Sequence, residues 1–314
     1  MSAIHGERSL TLINIHKNSK LREIARRSGS LALVRIILLL VLSACILAAV
    51  LVQSSALEGR LLRADPNTIP SNAALMAFAH RRGEVLFEAH CTGCHGAQGQ
   101  GDQGRGIPTL SDNDWLYGTG LVSDIEQVVR YGIRSYHPKG WNLAIMPAYA
   151  TPVQSARDGK IEPLSPANIR DLVEFLIREQ GIHEQGQRAD SAQRADSAAA
   201  MRGADLFAGA GGCYDCHAAD GKGDSAIGAP NLTDRITLYG DGSRDSLARS
   251  IAYGRHGVCP AWVGRISPAG IRELAVFVYS LSHSPRPANA PMSVPDPAPP
   301  AAAASAPAAP TGAG

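Results

Sequence analysis

The order of apolar and polar positions divides the chain into segments with different demands on solvent. An apolar run from Leu31 to Val52, broken only by Arg35, follows a polar stretch holding Lys17, Lys20, Arg22, Arg26 and Arg27. About 20 such residues cross a bilayer, so the run predicts a transmembrane anchor over 31–53 with the basic segment 1–30 in the cytoplasm. Leu42-Ser43-Ala44-Cys45 also has the form of a lipoprotein cleavage site. The apolar run continues past Cys45, which favours an uncleaved anchor in which Cys45 is an ordinary helix residue. Residues 54–74, with Pro66 and Pro70, read as a tether.

Beyond the tether the spacing becomes that of amphipathic helices. One is expected from near Ala73 through Phe87, and a second over 124–131 with Ile125, Val128 and Val129 on one face. A third, over 165–179, opens on a Ser165 cap and Pro166 and aligns Ile169, Leu172, Val173 and Leu176. It is expected to pack across the helix that ends at Phe87. Ile271, Leu274, Ala275, Val278 and Leu281 line a closing helix. Residues 182–200 contain the hexapeptide QRADSA twice in tandem, with no apolar face, and read as a linker. The Pro/Ala-rich tail 284–314 is expected to be disordered.

Chemistry concentrates in a pentapeptide that occurs twice, Cys91-Thr92-Gly93-Cys94-His95 and Cys213-Tyr214-Asp215-Cys216-His217. Two cysteines three positions apart place both sulfurs on one side of a helical turn, where each bonds a vinyl group of one porphyrin, and the adjacent histidine faces the iron. This is the pattern of covalent c-type haem attachment. A zinc site would need further cysteine or histidine ligands at regular spacing. The surroundings repeat as well: Gly83–Phe87 matches Gly203–Phe207, Leu116-Tyr117-Gly118 matches Leu238-Tyr239-Gly240, and Met146-Pro147-Ala148 matches Cys259-Pro260-Ala261. Whole domains are therefore repeated, 75–181 and 201–283, each expected to carry one haem c.

Met146 offers a thioether as sixth ligand of the first haem, with His137 as its competitor. At the second haem the matching position is Cys259, and three outcomes stay open: Cys259 ligation, His256 ligation, or an iron without a protein ligand on that side. A thiolate would lower the potential, since axial ligands move haem potentials over as much as about 0.8 V. Arg134 and Arg255, each just after a repeated Tyr-Gly, are either partners of haem propionates or solvated surface arginines.

Composition adds two points. Only 5% of the 314 residues are aromatic, a thin supply for two cores that a buried porphyrin would supplement. The formal charge of +2 comes with no basic stripe, so nucleic acid is not an expected partner.

The motif order resembles class I cytochromes c. The resemblance implies that Pro108 and Pro230 present the carbonyls that hold the other ring nitrogen of His95 and His217. More specifically, several stretches in order resemble subunit III of cbb3-type cytochrome c oxidases over about 59–283. They are Asp114-Trp115-Leu116-Tyr117-Gly118, Met146-Pro147-Ala148, Gly228-Ala229-Pro230-Asn231-Leu232-Thr233-Asp234, Gly254-Arg255-His256-Gly257-Val258-Cys259-Pro260-Ala261-Trp262 and Leu274–Ser282. That family has methionine where this chain has Cys259.

The resemblance implies a mainly α fold, with two tandem class I cytochrome c domains behind one transmembrane helix. It also implies a bacterial inner-membrane location with the haems in the periplasm. Electrons would enter from a soluble cytochrome c or another donor and pass to the oxidase catalytic subunits, so the chain itself is a relay. Cys259 keeps two other readings open: a His/Cys-ligated dihaem enzyme of thiosulfate oxidation, and a haem-based redox or gas sensor.

Overall fold

A computed structural model describes residues 35–155, 159–182, 196–234 and 236–283. The basic segment 1–30, most of the expected linker and the tail 284–314 lie outside these. Helix α1 (Arg35–Arg63) is, among the described residues, the one helix long and apolar enough to cross a membrane. Ile36 to Val52 present their large apolar side chains outward, as an anchor facing lipid requires. The expected tether is mostly ordered. Residues 54–63 are largely good helix formers and extend α1, and Pro66, unable to continue it, opens a 3-10 turn, Pro66–Ser71.

The remainder is mainly helical: α2 (Ala73–His90), α3 (Thr92–His95), α4 (Val122–Tyr131), α5 (Pro166–Ile182), α6 (Ser197–Ala208), α7 (Tyr214–His217), α8 (Arg244–Tyr253) and α9 (Pro268–His283). Between α4 and α5 the strands β1 (Val153–Ser155) and β2 (Gly159–Ile161) form an antiparallel hairpin. Local caps explain several starts. Asn72 Oδ1 accepts the Leu75 N–H at 3.1 Å before α2, and Asp196 Oδ1 accepts the N–H groups of Ala198 and Ala199 before α6.

The helix pairing differs from the chain order. Helix α5 packs on α6 and α8, not on α2, while α2 and α4 pack on α9. Each repeat thus gives its last helix to the other half. The two helix crossings share one design. At the first, a Cβ on Gly83 would lie 2.1 Å from the Glu273 carbonyl oxygen, Arg82 pairs with Glu273 at 2.5 Å, and Phe87 meets Phe277 with ring centres 5.2 Å apart. At the second, a Cβ on Gly203 would lie 2.1 Å from the Asp171 oxygen, Arg202 forks onto Asp171 at 2.7 and 2.8 Å, and Phe207 meets Phe175 at 5.1 Å. Glycine lets the backbones touch; the aromatic pair and the ion pair flank the contact.

The exchange happens where the chain leaves α4 and α8. These two segments run beside each other: Ile133 and Cys259 exchange backbone hydrogen bonds at 2.9 and 3.0 Å, and the Met146 N–H donates to the Arg255 carbonyl at 3.2 Å. Gly132 and Gly254 make the passage possible. Both have positive φ, 73° and 69°, and a Cβ on either would stand 2.4 Å from the carbonyl oxygen of Cys259 or Met146, respectively. Past the crossing, Tyr149 and Ala150 bond to Ile251 and Ala252 of α8, and Trp262 and Val263 bond to Val129 and Arg130 of α4.

Candidate haem-binding sites

The proximal histidines are held alike. His95 ends α3 and donates from Nδ1 to the Pro108 carbonyl at 3.1 Å; His217 ends α7 and donates to Pro230 at 3.0 Å. The carbonyl fixes the Nδ1–H tautomer and turns Nε2 outward as the free lone pair. Short bridges support each proline loop, Asp102 with Ile107 and Asp224 with Ala229. Burial lowers the pKa of both imidazoles, with the proline hydrogen bond opposing it, so neutral rings are favoured at both positions.

Burial likewise governs the thiols. It pushes Cys91 up to about 12, with the nearby Cys259 and Cys94 adding to the rise, and Cys213 up to about 11. Next to Cys213, Cys216 and His217 lies an apolar cleft whose wall includes Leu172, Leu176, Phe207, Leu247 and Ile251. All five belong to one buried cluster built mainly from α5, α6 and α8.

Met146 lines this cleft and packs against that cluster. The expected pairing of Met146 with His95 is therefore corrected: the crossing after α4 carries Met146 to the His217 side. Cys259 makes the reciprocal move. Expected beside His217, it lies within electrostatic range of Cys91 and Cys94, and burial, followed by Cys94, raises its own thiol to about 11. His256 lines the His217 cleft but is exposed. His137 belongs to neither set: its ring stacks on Tyr131 at 4.8 Å and its Nδ1 accepts the Lys139 N–H at 3.1 Å.

Arg134 and Arg255 line one and the same cleft, instead of serving one haem each. Arg134 donates to the carbonyls of Gly257 at 2.5 Å and Ala144 at 2.9 Å; Arg255 donates to Ser250 Oγ at 3.0 Å and lies 4.6 Å over the Tyr239 ring. A further residue emerges from the geometry. Tyr117 Oη is buried with no hydrogen-bond partner among the described residues; its ring lies 5.9 Å from the Arg134 guanidinium and it sits against Gly228, which lines the cleft. The repeated Leu-Tyr-Gly was its sequence signal.

A covalently held porphyrin fits these residues. It would take thioether bonds from each cysteine pair and an Nε2 from each histidine, and its apolar faces suit the cleft. Its carboxylates would meet an orphaned hydroxyl and two guanidinium groups.

Comparison with known proteins agrees with this chemistry. A family model described as cytochrome c matches residues 80–178, and one described as cytochrome C oxidase, cbb3-type, subunit III matches residues 198–278. The chain is 37% identical over 216 residues to the cbb3-type cytochrome c oxidase subunit FixP of Bradyrhizobium sp. (strain ORS 278), a match covering 68% of this chain and 64% of that protein. It is 36% identical over 227 residues to FixP of Azorhizobium caulinodans, covering 72% and 68%. With subunit CcoP of Rhodobacter capsulatus it shares 35% over 236 residues, covering 73% and 71%.

Proposed function

The chain belongs to the family of subunit III of cbb3-type cytochrome c oxidases, membrane-anchored cytochromes that carry electrons to the oxidase, and from that premise we propose how this member does so. Each half holds one haem c, the first through Cys91, Cys94 and His95 and the second through Cys213, Cys216 and His217. On the periplasmic side of α1 the chain would take up electrons from a soluble cytochrome c and deliver them to the catalytic subunit of the oxidase.

A bound haem supplies a one-electron Fe(III)/Fe(II) couple. The rest of the work belongs to the chain. Pro108 and Pro230 orient the imidazoles, the apolar walls exclude water, and Met146, on the His217 side, would offer its thioether to the iron, which favours the ferrous state. Arg134 and Arg255 place positive charge at the cleft, which opposes oxidation of the iron. The observation that carries this reading is the pair of histidine-to-proline bonds, 3.1 and 3.0 Å, each beside its own cysteine pair.

The test uses the full-length protein with its oxidase partners in detergent. Two haems per chain by pyridine haemochrome, electron uptake by the protein from a soluble monohaem cytochrome c and oxygen-dependent reoxidation are expected. One haem per chain, or haems that stay reduced under oxygen, would overturn the proposal. Orientation is read separately from reporter fusions placed before Arg35 and after His283.

A further inference from the structure

The crossing changes which of the two haems Cys259 can serve. The chain carries cysteine at 259 where the first repeat carries Met146, and by order along the chain that cysteine would face His217. Three observations place it at the other site. The Cys259 backbone is bonded on both sides to Ile133, at the exit of α4. Its thiol is close enough to those of Cys91 and Cys94 for their charges to interact. The segment that follows it is tied to α4 through the Trp262 and Val263 N–H groups. Met146, the repeat-related residue, occupies the reciprocal place beside Cys213, Cys216 and His217.

We propose that the sulfur of Cys259 is the sixth ligand of the haem held by Cys91, Cys94 and His95, so that the protein carries an unequal pair: a low-potential His/Cys haem in the half built from α2, α4 and α9, and a high-potential His/Met haem in the other half. The inference rests on the haem assignment above. On ligation the Cys259 S–H bond breaks, its proton goes to solvent and the sulfur lone pair bonds to ferric iron; no electron changes hands. A coordinated thiol is deprotonated outright even where burial disfavours the free thiolate. Thiolate donation then stabilises Fe(III) over Fe(II) and moves that couple down. The rival ligand expected from the sequence, His137, is turned onto Tyr131 and bonded to Lys139.

The consequence is a direction. Electrons delivered at the His/Cys haem run downhill to the His/Met haem, while delivery at the His/Met haem leaves the other oxidised. Dithionite, with excess reductant, reduces both; a donor poised between them reduces one.

The test compares the full-length wild-type protein with Cys259→Met, Cys259→Ala and Met146→Ala, each loaded with haem. Haem per chain is measured first, because a count below two defeats the dihaem reading itself and is distinguishable from failure of the ligand assignment. With two haems present, ferric EPR and near-infrared MCD are expected to show one thiolate-ligated and one His/Met low-spin haem. Spectropotentiometry is expected to give two separate waves. Cys259→Met should abolish the thiolate signature and raise the lower wave, Cys259→Ala should convert that haem to high spin, and Met146→Ala should change only the upper wave. Absence of the thiolate signature in the wild type, or Cys259→Met altering the same wave as Met146→Ala, would overturn the inference.

Discussion

The exchanged helices make a prediction that chain order would reverse. Leu274 of α9 is 1% exposed and Leu172 of α5 is 2% exposed, so truncating either to alanine removes a fully buried side chain. Such changes cost about 2–5 kcal/mol. At about 1.4 kcal/mol per tenfold, that raises the population of the opened half by roughly 30-fold to a few thousand-fold. Helix α9 packs on α2 and α4, and α5 packs on α6 and α8. Leu274→Ala should therefore loosen the half containing Cys91–His95, and Leu172→Ala the half containing Cys213–His217.

Hydrogen–deuterium exchange with peptide mapping resolves the two. Leu274→Ala is expected to accelerate exchange across 73–95 and 122–131, with a smaller change across 197–217. Acceleration concentrated at 197–217 instead would show that each repeat closes on its own last helix, and the pairing described above would be wrong.

Gly83→Ala and Gly203→Ala improve helix propensity yet should each destabilise by about 1–3 kcal/mol in denaturant titrations, because the new methyl meets a backbone carbonyl. Arg272 donates to buried Glu126 at 2.6 Å and to the carbonyls of Leu61 and Ala64, while Arg130 also pairs with Glu126. Arg272→Ala should cost about 3 kcal/mol, the low end for a broken buried pair since Arg130 remains, and Arg272→Ala with Glu126→Gln should cost less than the sum of the two single changes. The Arg244 hydrogen bonds hold the Glu174 carboxyl below its ordinary range. That contribution is fully present above the unfolded-state pKa and is lost as pH falls through the depressed folded-state value. Glu174→Gln should flatten the acid limb of the stability profile, as read by thermal melts at stepped pH.

Much of this was legible in the residues. The Cys-x-x-Cys-His pair and the anchor follow from local chemistry, which needs only a few neighbouring positions, and the two prolines follow from the resemblance to class I cytochromes c. The partnership of helices does not. Arg-Gly followed by Phe occurs in both entering helices, at 82–87 and 202–207, and an acidic residue four before a Phe occurs in both closing helices, Asp171 with Phe175 and Glu273 with Phe277. Either closing helix complements either entering one, so the repeat that reveals two domains also conceals how they share their parts. The misplacement of Met146 and Cys259 follows from that degeneracy. The repeat marks Tyr117, but the environment of its hydroxyl is visible only in three dimensions. Within the tether, Pro66 and Pro70 lie in a 3-10 turn just after α1 has stopped.

A chain that reaches its compartment from the N terminus delivers α2 and the first cysteine pair early, but the helix that seals them, Pro268–His283, arrives last among the described elements. The half made of α5 to α8 has all its helices as soon as Tyr253 has emerged. Completion therefore runs opposite to arrival. The first attachment motif stays uncovered by α9 until the rest of the described chain has been delivered, and a chain broken off before α9 leaves that first site without its lid while the second can close.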